Sequence, residues 1–191
     1  MRPSRVSQGK IRSNLAGPLP EGCAKLVRVT QLATLPVGRE RFVIRRATAG
    51  DIAAIVALLC DDELGAGRED MPAAGLAPYR SAFDAVEADP RQMLLVVTAG
   101  DGSVAATMQL TFIAGLSRRG ALRAQIEAVR VSRRHRGHGL GEAMIAWAVA
   151  EARRRGCALV QLTSDKQREG AHRFYARLGF TASHEGFKLQ L

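Results

Sequence analysis

The stretch VRVSRRHRGHGLGE, Val129 to Glu142, constrains the fold of this chain more than any other. It leads from an alternating strand pattern, Leu122–Val131, through a turn with glycine at 137, 139 and 141, into a helix with one apolar face. A strand that enters a helix through such a turn presents unpaired backbone N–H groups, and the positive helix end, to an anion. Glycine permits positive φ and lets an oxygen approach the main chain with no Cβ in the way. The spacing therefore points to a phosphate or pyrophosphate. Two common phosphate loops fail on spacing. No Lys-Ser or Lys-Thr follows a glycine, and Glu142 stands where G-x-G-x-x-G needs its third glycine.

Around this unit, strand and helix patterns alternate with no internal repeat. RFVIRRA (41–47) reads as a strand, and Thr48 to Asp51 supply a capping box before the apolar run IAAIVALL. Asp61 to Gly75 is an acidic, glycine-containing loop, and Tyr79 to Ala88 a helix closed by Asp89-Pro90. Met93–Thr98 and Val104–Phe112 are strands joined by the hairpin turn AGDGS. The helix after the glycine turn, from about Gly141 to Arg155, aligns Leu140, Met144, Trp147 and Ala148 and stops at Gly156. ALVQLT (158–163) is a buried strand. Ala171, Phe174, Tyr175 and Leu178 mark a last helix ending at Gly179, and FTASH with FKLQL form a closing hairpin around Glu185-Gly186. The sum is an α/β (α+β) domain over residues 42–191, built on a mixed sheet.

Residues 1–41 hold eight basic and two acidic side chains, so most of the net charge of +10 belongs to a basic, flexible N-terminal arm. The folded part is then only mildly positive. That argues against a nucleic-acid partner, which wants charge gathered on one face and interleaved aromatics. No apolar run approaches membrane-spanning length, so no membrane partner is expected. Cys23, Cys60 and Cys157 are odd in number and far apart, which fits a reducing cytoplasm. His135, His138, His172 and His184 lack acidic or cysteine partners at ligand spacing, so no metal is expected.

The stretch VRVSRRHRGHGLGEAMIAWAVAEARRRGC resembles motif A of the GNAT superfamily of N-acetyltransferases, [RQ]-x-x-G-x-[GA]. Arg136, Gly139 and Gly141 fill that pattern, and the strand before it ends in Val129-x-Val131. REGAHRFYARLGF, Arg168 to Phe180, resembles motif B of the same family, with its aromatic-Tyr-x-x-x-Gly-Phe ending. The tail is also similar to bacterial aminoalkylphosphonate acetyltransferases. Two departures stand out: Ser132-Arg133 where a proline is frequent, and Ser164, Asp165 and Lys166 where an asparagine often stands.

The resemblance implies a GNAT-like, mostly antiparallel central sheet with helices on both faces, in which the motif-A strand and the next strand splay apart. It implies acetyl-CoA as co-substrate, its pyrophosphate on the backbone of Arg136, Gly137, His138, Gly139, Leu140 and Gly141. Arg134 and Arg136 would add charge-assisted contacts, Val129 and Val131 would pair with the pantetheine arm, and Ser164 would add a contact. Glu127, with the sequence parity of Val129 and Val131, is the expected base, acting directly or through water. Tyr175 is the expected acid, and the backbone N–H near Val129 the oxyanion donor.

The function expected is therefore transfer of an acetyl group to a primary amine of a small molecule by direct attack. A homodimer is compatible with this. A non-catalytic, CoA-binding GNAT-like sensor or interaction module is the alternative. The acid-rich CDDELGAGRED (60–70) reads either as a bias toward a cationic acceptor or as a solvated loop.

Overall fold

The computed structural model describes residues 30–61 and 75–191. Its sheet runs in sequence order: β1 (Gln31–Val37), β2 (Glu40–Arg46), β3 (Gln92–Thr98), β4 (Val104–Ile113), β5 (Arg123–Val131) and β6 (Leu159–Leu162). Neighbours are antiparallel except β5 and β6, which are parallel. The helices are α1 (Ile52–Cys60), α2 (Ala77–Ala88), α3 (Leu140–Arg154) and α4 (Glu169–Arg177).

The period of two along each strand divides the sheet between two apolar layers. Met93, Leu95 and Val97 of β3 share the larger core with Ala106, Met108 and Leu110 of β4 and with Leu140, Met144, Ile145, Ala148 and Ala152 of α3. Val96 faces the other way, into a smaller core with Ile52, Ile55 and Val56 of α1 and Phe83 of α2. Helices thus cover both faces, and α1 also packs against β4 and β5. Among the described residues, no helix is long and apolar enough to cross a membrane.

The capping box forms as expected. The Asp51 carboxylate accepts from the Thr48 N–H at 2.7 Å, and Arg45 grips it through both nitrogens at 2.7 and 2.8 Å. Burial by itself would raise the Asp51 pKa; the Arg45 and Thr48 hydrogen bonds outweigh it and hold the carboxyl below its ordinary value. This pair ties the start of α1 to β2. It thereby helps set where the far end of α1, at Asp61, comes to rest.

Three expectations need correction. The sheet begins at Gln31, inside the stretch read as arm: Leu35 is buried and β1 pairs with β2 through a tight turn at Gly38-Arg39. Pro36 and Gly38 locally favour irregular chain, but Pro36 sits on an edge strand, where a missing N–H is tolerated. The closing hairpin does not form. Residues 180–191 carry no strand, and Phe187 and Leu189 stand 92% and 86% exposed. Their alternation suits a strand, but a strand needs a partner edge, which local pattern does not supply. Finally, β6 is half-buried rather than buried. Residues 1–29 of the stretch read as arm, Cys23 among them, and 62–74 of the acidic loop lie outside the described residues.

Candidate active site

β5 is interrupted at the point where the site forms. Against β4, Ile126 stands opposite Leu110 and Val131 opposite Ala106, two positions on one face of β4. Ile126 and Val131 are an odd number apart, so one extra residue must be accommodated between them. It is taken up at Ala128, whose φ is +52°, a β-bulge that swivels the local N–H and C=O groups. The bulge inverts the parity read from sequence. Val129 and Val131 face the larger core with Ala124 and Ile126, whereas Glu127, opposite Gln109, shares the other face with Arg130, opposite Thr107.

The pairing of β5 with β6 stops at the same place. Arg123 to Ile126 lie beside Leu159 to Leu162, and no register continues beyond. Among the described residues, β5 from Glu127 to Val131 has a strand neighbour on the β4 side alone. The expected splay between the two strands is present. Two carbonyls on this stretch are engaged by arginines: Arg130 Nη1 donates to Val129 at 2.9 Å and Arg136 Nε to Val131 at 2.8 Å.

The glycine loop follows after one turn of 3-10 helix at Arg133–His135. Ser132 N–H donates to Ala105 at 2.8 Å and the His135 ring stands edge-on to Phe42, centroids 5.2 Å apart, so both ends of this turn are anchored. Gly137 and Gly139 then adopt φ of +78° and +92°, conformations an L side chain resists. Gly139 caps α3, and Leu140 is buried beneath it. A methyl group on Gly141 would lie 3.5 Å from the Phe174 ring and 3.8 Å from Val131, so the first turn of α3 sits close against α4 and the end of β5. The open first turn of a helix, reached through two left-handed glycines, is a fit cradle for a pyrophosphate.

The Arg136 side chain reaches across to the end of α1. Its Nη2 donates to the Asp61 carbonyl at 2.7 Å and to the Asp61 carboxylate at 3.0 Å, while Arg133 Nε reaches the other carboxylate oxygen at 2.6 Å. The guanidinium thus buttresses the loop from the end of α1. Arg134 and His138 line a cavity of about 500 Å³ beside the loop, with Arg39 and Phe42 across from them. Arg39 carries no site signal in the sequence, since it stands among scattered basic residues before the first regular pattern. Asp61 carries none either, because an isolated acid at a helix end makes no motif.

Tyr175, on α4, is half-buried among aromatic neighbours, its ring 5.1 Å from Phe174 and 5.8 Å from Phe180. Burial pushes its phenol pKa up, partly offset by Arg130 and Arg168. The phenol therefore keeps its proton at neutral pH. Glu127 is exposed, and Ser164 lies half-buried just beyond β6. Among the described residues, no group of three His, Cys, Asp or Glu side chains could hold a metal ion.

A strand losing its parallel neighbour beside a glycine-capped helix is the geometry that the motif resemblance implies, and the bulge at Ala128 is an addition to it. The model of the Acetyltransferase (GNAT) family matches residues 53–180, about two thirds of the chain. The chain belongs to the GNAT family of acetyltransferases. Among curated relatives, the aminoalkylphosphonate N-acetyltransferase of Salmonella typhimurium is 31% identical over 144 residues, 75% of this chain and 88% of that protein. Among solved structures, a Bacillus halodurans C-125 chain described as a transcriptional regulator is 42% identical with a TM-score of 0.75, covering 78% of this chain and 99% of its own. A putative acetyltransferase from Agrobacterium tumefaciens is 26% identical with a TM-score of 0.67, over 78% of this chain and 99% of that one. GNAT acetyltransferases use acetyl-CoA as acetyl donor, and the glycine loop and splay of this member fit its pyrophosphate and its extended arm.

Proposed function

We propose that this acetyltransferase moves an acetyl group from acetyl-CoA to the primary amine of a small molecule by direct attack. The observation that carries the reading is the coincidence of three features on one strand: the Ala128 bulge, the loss of pairing with β6, and the glycine-capped helix that follows. The amides of Arg136 to Gly141 hold the pyrophosphate, with Arg134 contributing charge. The pantetheine arm lies along Val129 and Val131, and Ser164 adds a contact. Arg136, committed to Asp61, shapes the loop through its side chain and contributes its own amide.

The acetyl carbonyl then sits at the bulge, where an N–H near Val129 is turned to stabilise the oxyanion. An alkylamine is mostly protonated at neutral pH, so a proton must leave before attack. Glu127 takes it, directly or through water. Nitrogen forms a bond to the carbonyl carbon, the tetrahedral intermediate collapses, and the carbon–sulfur bond breaks. Tyr175 donates its proton to the departing thiolate, so the products are an amide and free CoA. The relative from Salmonella typhimurium supports a small amine as acceptor. Action in the cytoplasm is part of this proposal.

A thermal-shift comparison of acetyl-CoA, CoA, ATP and NAD tests the cofactor. Stabilisation by acetyl-CoA and CoA alone is expected; none would sink the reading. Release of CoA over an amine panel tests catalysis. A second reading, an acetyl-CoA sensor without turnover, is favoured by the description of the Bacillus halodurans relative as a transcriptional regulator. It predicts binding of acetyl-CoA with no CoA release from any amine.

A further inference from the structure

The glycine loop has two sides. Gly141 lies against Phe174 of α4 and Val131 of β5, whereas a methyl group on Gly139 would meet Val37, at the end of β1, at 3.7 Å. On the first side is the splay proposed for the pantetheine arm. On the second is the cavity of about 500 Å³ between the loop and the β1–β2 turn, a volume typical of small-molecule sites. A molecule that passes through the cradle, with its arm on one side, carries whatever lies beyond its pyrophosphate to the other.

The floor of this cavity is apolar, made by Val37 and by the buried Phe42 and Leu140. Its basic residues come from two elements, Arg39 from the turn and Arg134 with His138 from the loop. Among the described residues, none of these three side chains is engaged in a hydrogen bond or an ion pair. Arg133 and Arg136 of the same loop, in contrast, are both committed to Asp61. Acids are present too. Glu40 lines the cavity next to Arg39, and Asp101, in the turn between β3 and β4, lies within electrostatic reach of Arg134. Attraction here is therefore a matter of donors placed at one spot, not of a broad positive field. Two guanidiniums from separate elements suit a phosphate, and the apolar floor suits a flat base.

We propose that this cavity is the subsite for the adenosine end of acetyl-CoA, and that Arg39 together with Arg134 receives its ribose phosphate. That group is the one anion CoA carries beyond the pyrophosphate. One ribose separates the two, and Arg134 and His138 belong at once to the loop and to the cavity wall, so the two sites are contiguous. The inference rests on the reading of the glycine loop as a pyrophosphate cradle. It adds a second phosphate site built in part from the β1–β2 turn.

The test is calorimetric titration of the full chain with CoA and with dephospho-CoA, which lacks the ribose phosphate, at one low salt concentration. CoA is expected to bind about 10-fold tighter. Arg39→Gln weakens CoA by about three- to tenfold and leaves dephospho-CoA within about twofold. Glu40→Gln removes the neighbouring negative charge, so it tightens CoA by about two- to threefold and again spares dephospho-CoA. A general loosening of the turn would move both ligands alike. Equal affinity of the parent for the two ligands overturns the proposal, as does an Arg39→Gln loss common to both. A parent preference that Arg39→Gln leaves intact overturns it as well. Arg39 is exposed on a turn, and Arg39→Ala takes its place should Arg39→Gln fail to fold. Tight and equal binding of both ligands sinks this inference alone, whereas no binding of either sinks the acetyl-CoA reading with it.

Discussion

Arg136 and Asp61 join the glycine loop to the end of α1: one guanidinium nitrogen bonds both the main-chain oxygen and the carboxylate of Asp61, at 2.7 and 3.0 Å. The same carboxylate holds Arg133. Replacing Asp61 by Ala removes the carboxylate that both arginines share, so that Arg133 is released and Arg136 keeps only the main-chain oxygen, while the glycines stay intact. Such partly exposed pairs are individually weak, so KM for acetyl-CoA is expected to rise about three- to tenfold with kcat little changed. Initial rates over a range of acetyl-CoA check this; a fall confined to kcat would contradict it.

Gly139 holds φ of +92° at the cap of α3. Gly139→Ala forces a side chain into a region costing about 1–2 kcal/mol, so acetyl-CoA affinity should drop about tenfold or more. Calorimetric titration of acetyl-CoA reads this directly. An unchanged Kd would mean that the loop does not carry the pyrophosphate.

Ala128 is a non-glycine residue at positive φ, and it makes the bulge. Ala128→Val places a branched side chain where even alanine is strained, and kcat should fall about 100-fold as the oxyanion donor is displaced. Ala128→Gly relieves the strain and is expected to gain up to about 1 kcal/mol in stability, read by urea unfolding. Full activity in Ala128→Val would remove the bulge from the mechanism.

For Tyr175, loss of the hydroxyl in Tyr175→Phe should lower kcat by about 100-fold or more while acetyl-CoA still binds. Burial raises the phenol pKa, so the alkaline limb of kcat that reports its ionisation should lie above about pH 10. A limb well below that, persisting in Tyr175→Phe, would assign it to another group.

Asp51 is the buried partner of Arg45, and folding lowers its pKa. Its contribution is therefore complete above the unfolded carboxyl value near pH ~4 and is lost as pH falls through the lower folded value. Asp51→Ala leaves Arg45 without its counter-charge and should cost about 3 kcal/mol at neutral pH. Urea unfolding at neutral and acid pH measures both effects, and the difference between parent and variant should shrink in acid.

Much of this was legible along the chain because it depends on neighbours in sequence. The glycine turn between strand and helix is local, as are the Thr48–Asp51 capping box and the apolar spacing of α3. Each follows from backbone sterics or helical period over a few residues. β1 was hidden by Pro36 and Gly38, whose local preference for irregular chain is overridden by pairing with β2. The closing hairpin failed for the opposite reason: its alternation is present, but in this structure no strand edge takes it up.

The bulge at Ala128 has no signal of its own, since neither glycine nor proline marks it. It exists because β5 must keep Ile126 and Val131 on one face of β4, and only the assembled sheet imposes that. The sequence by itself determined that a strand passes through a glycine turn into a helix and that Tyr175 lies on a further amphipathic helix. Tertiary structure alone decided which face Glu127 occupies and that Arg136 grips Asp61. Those relations join residues far apart along the chain or reverse a local period, and pairing across the sheet is what sets them.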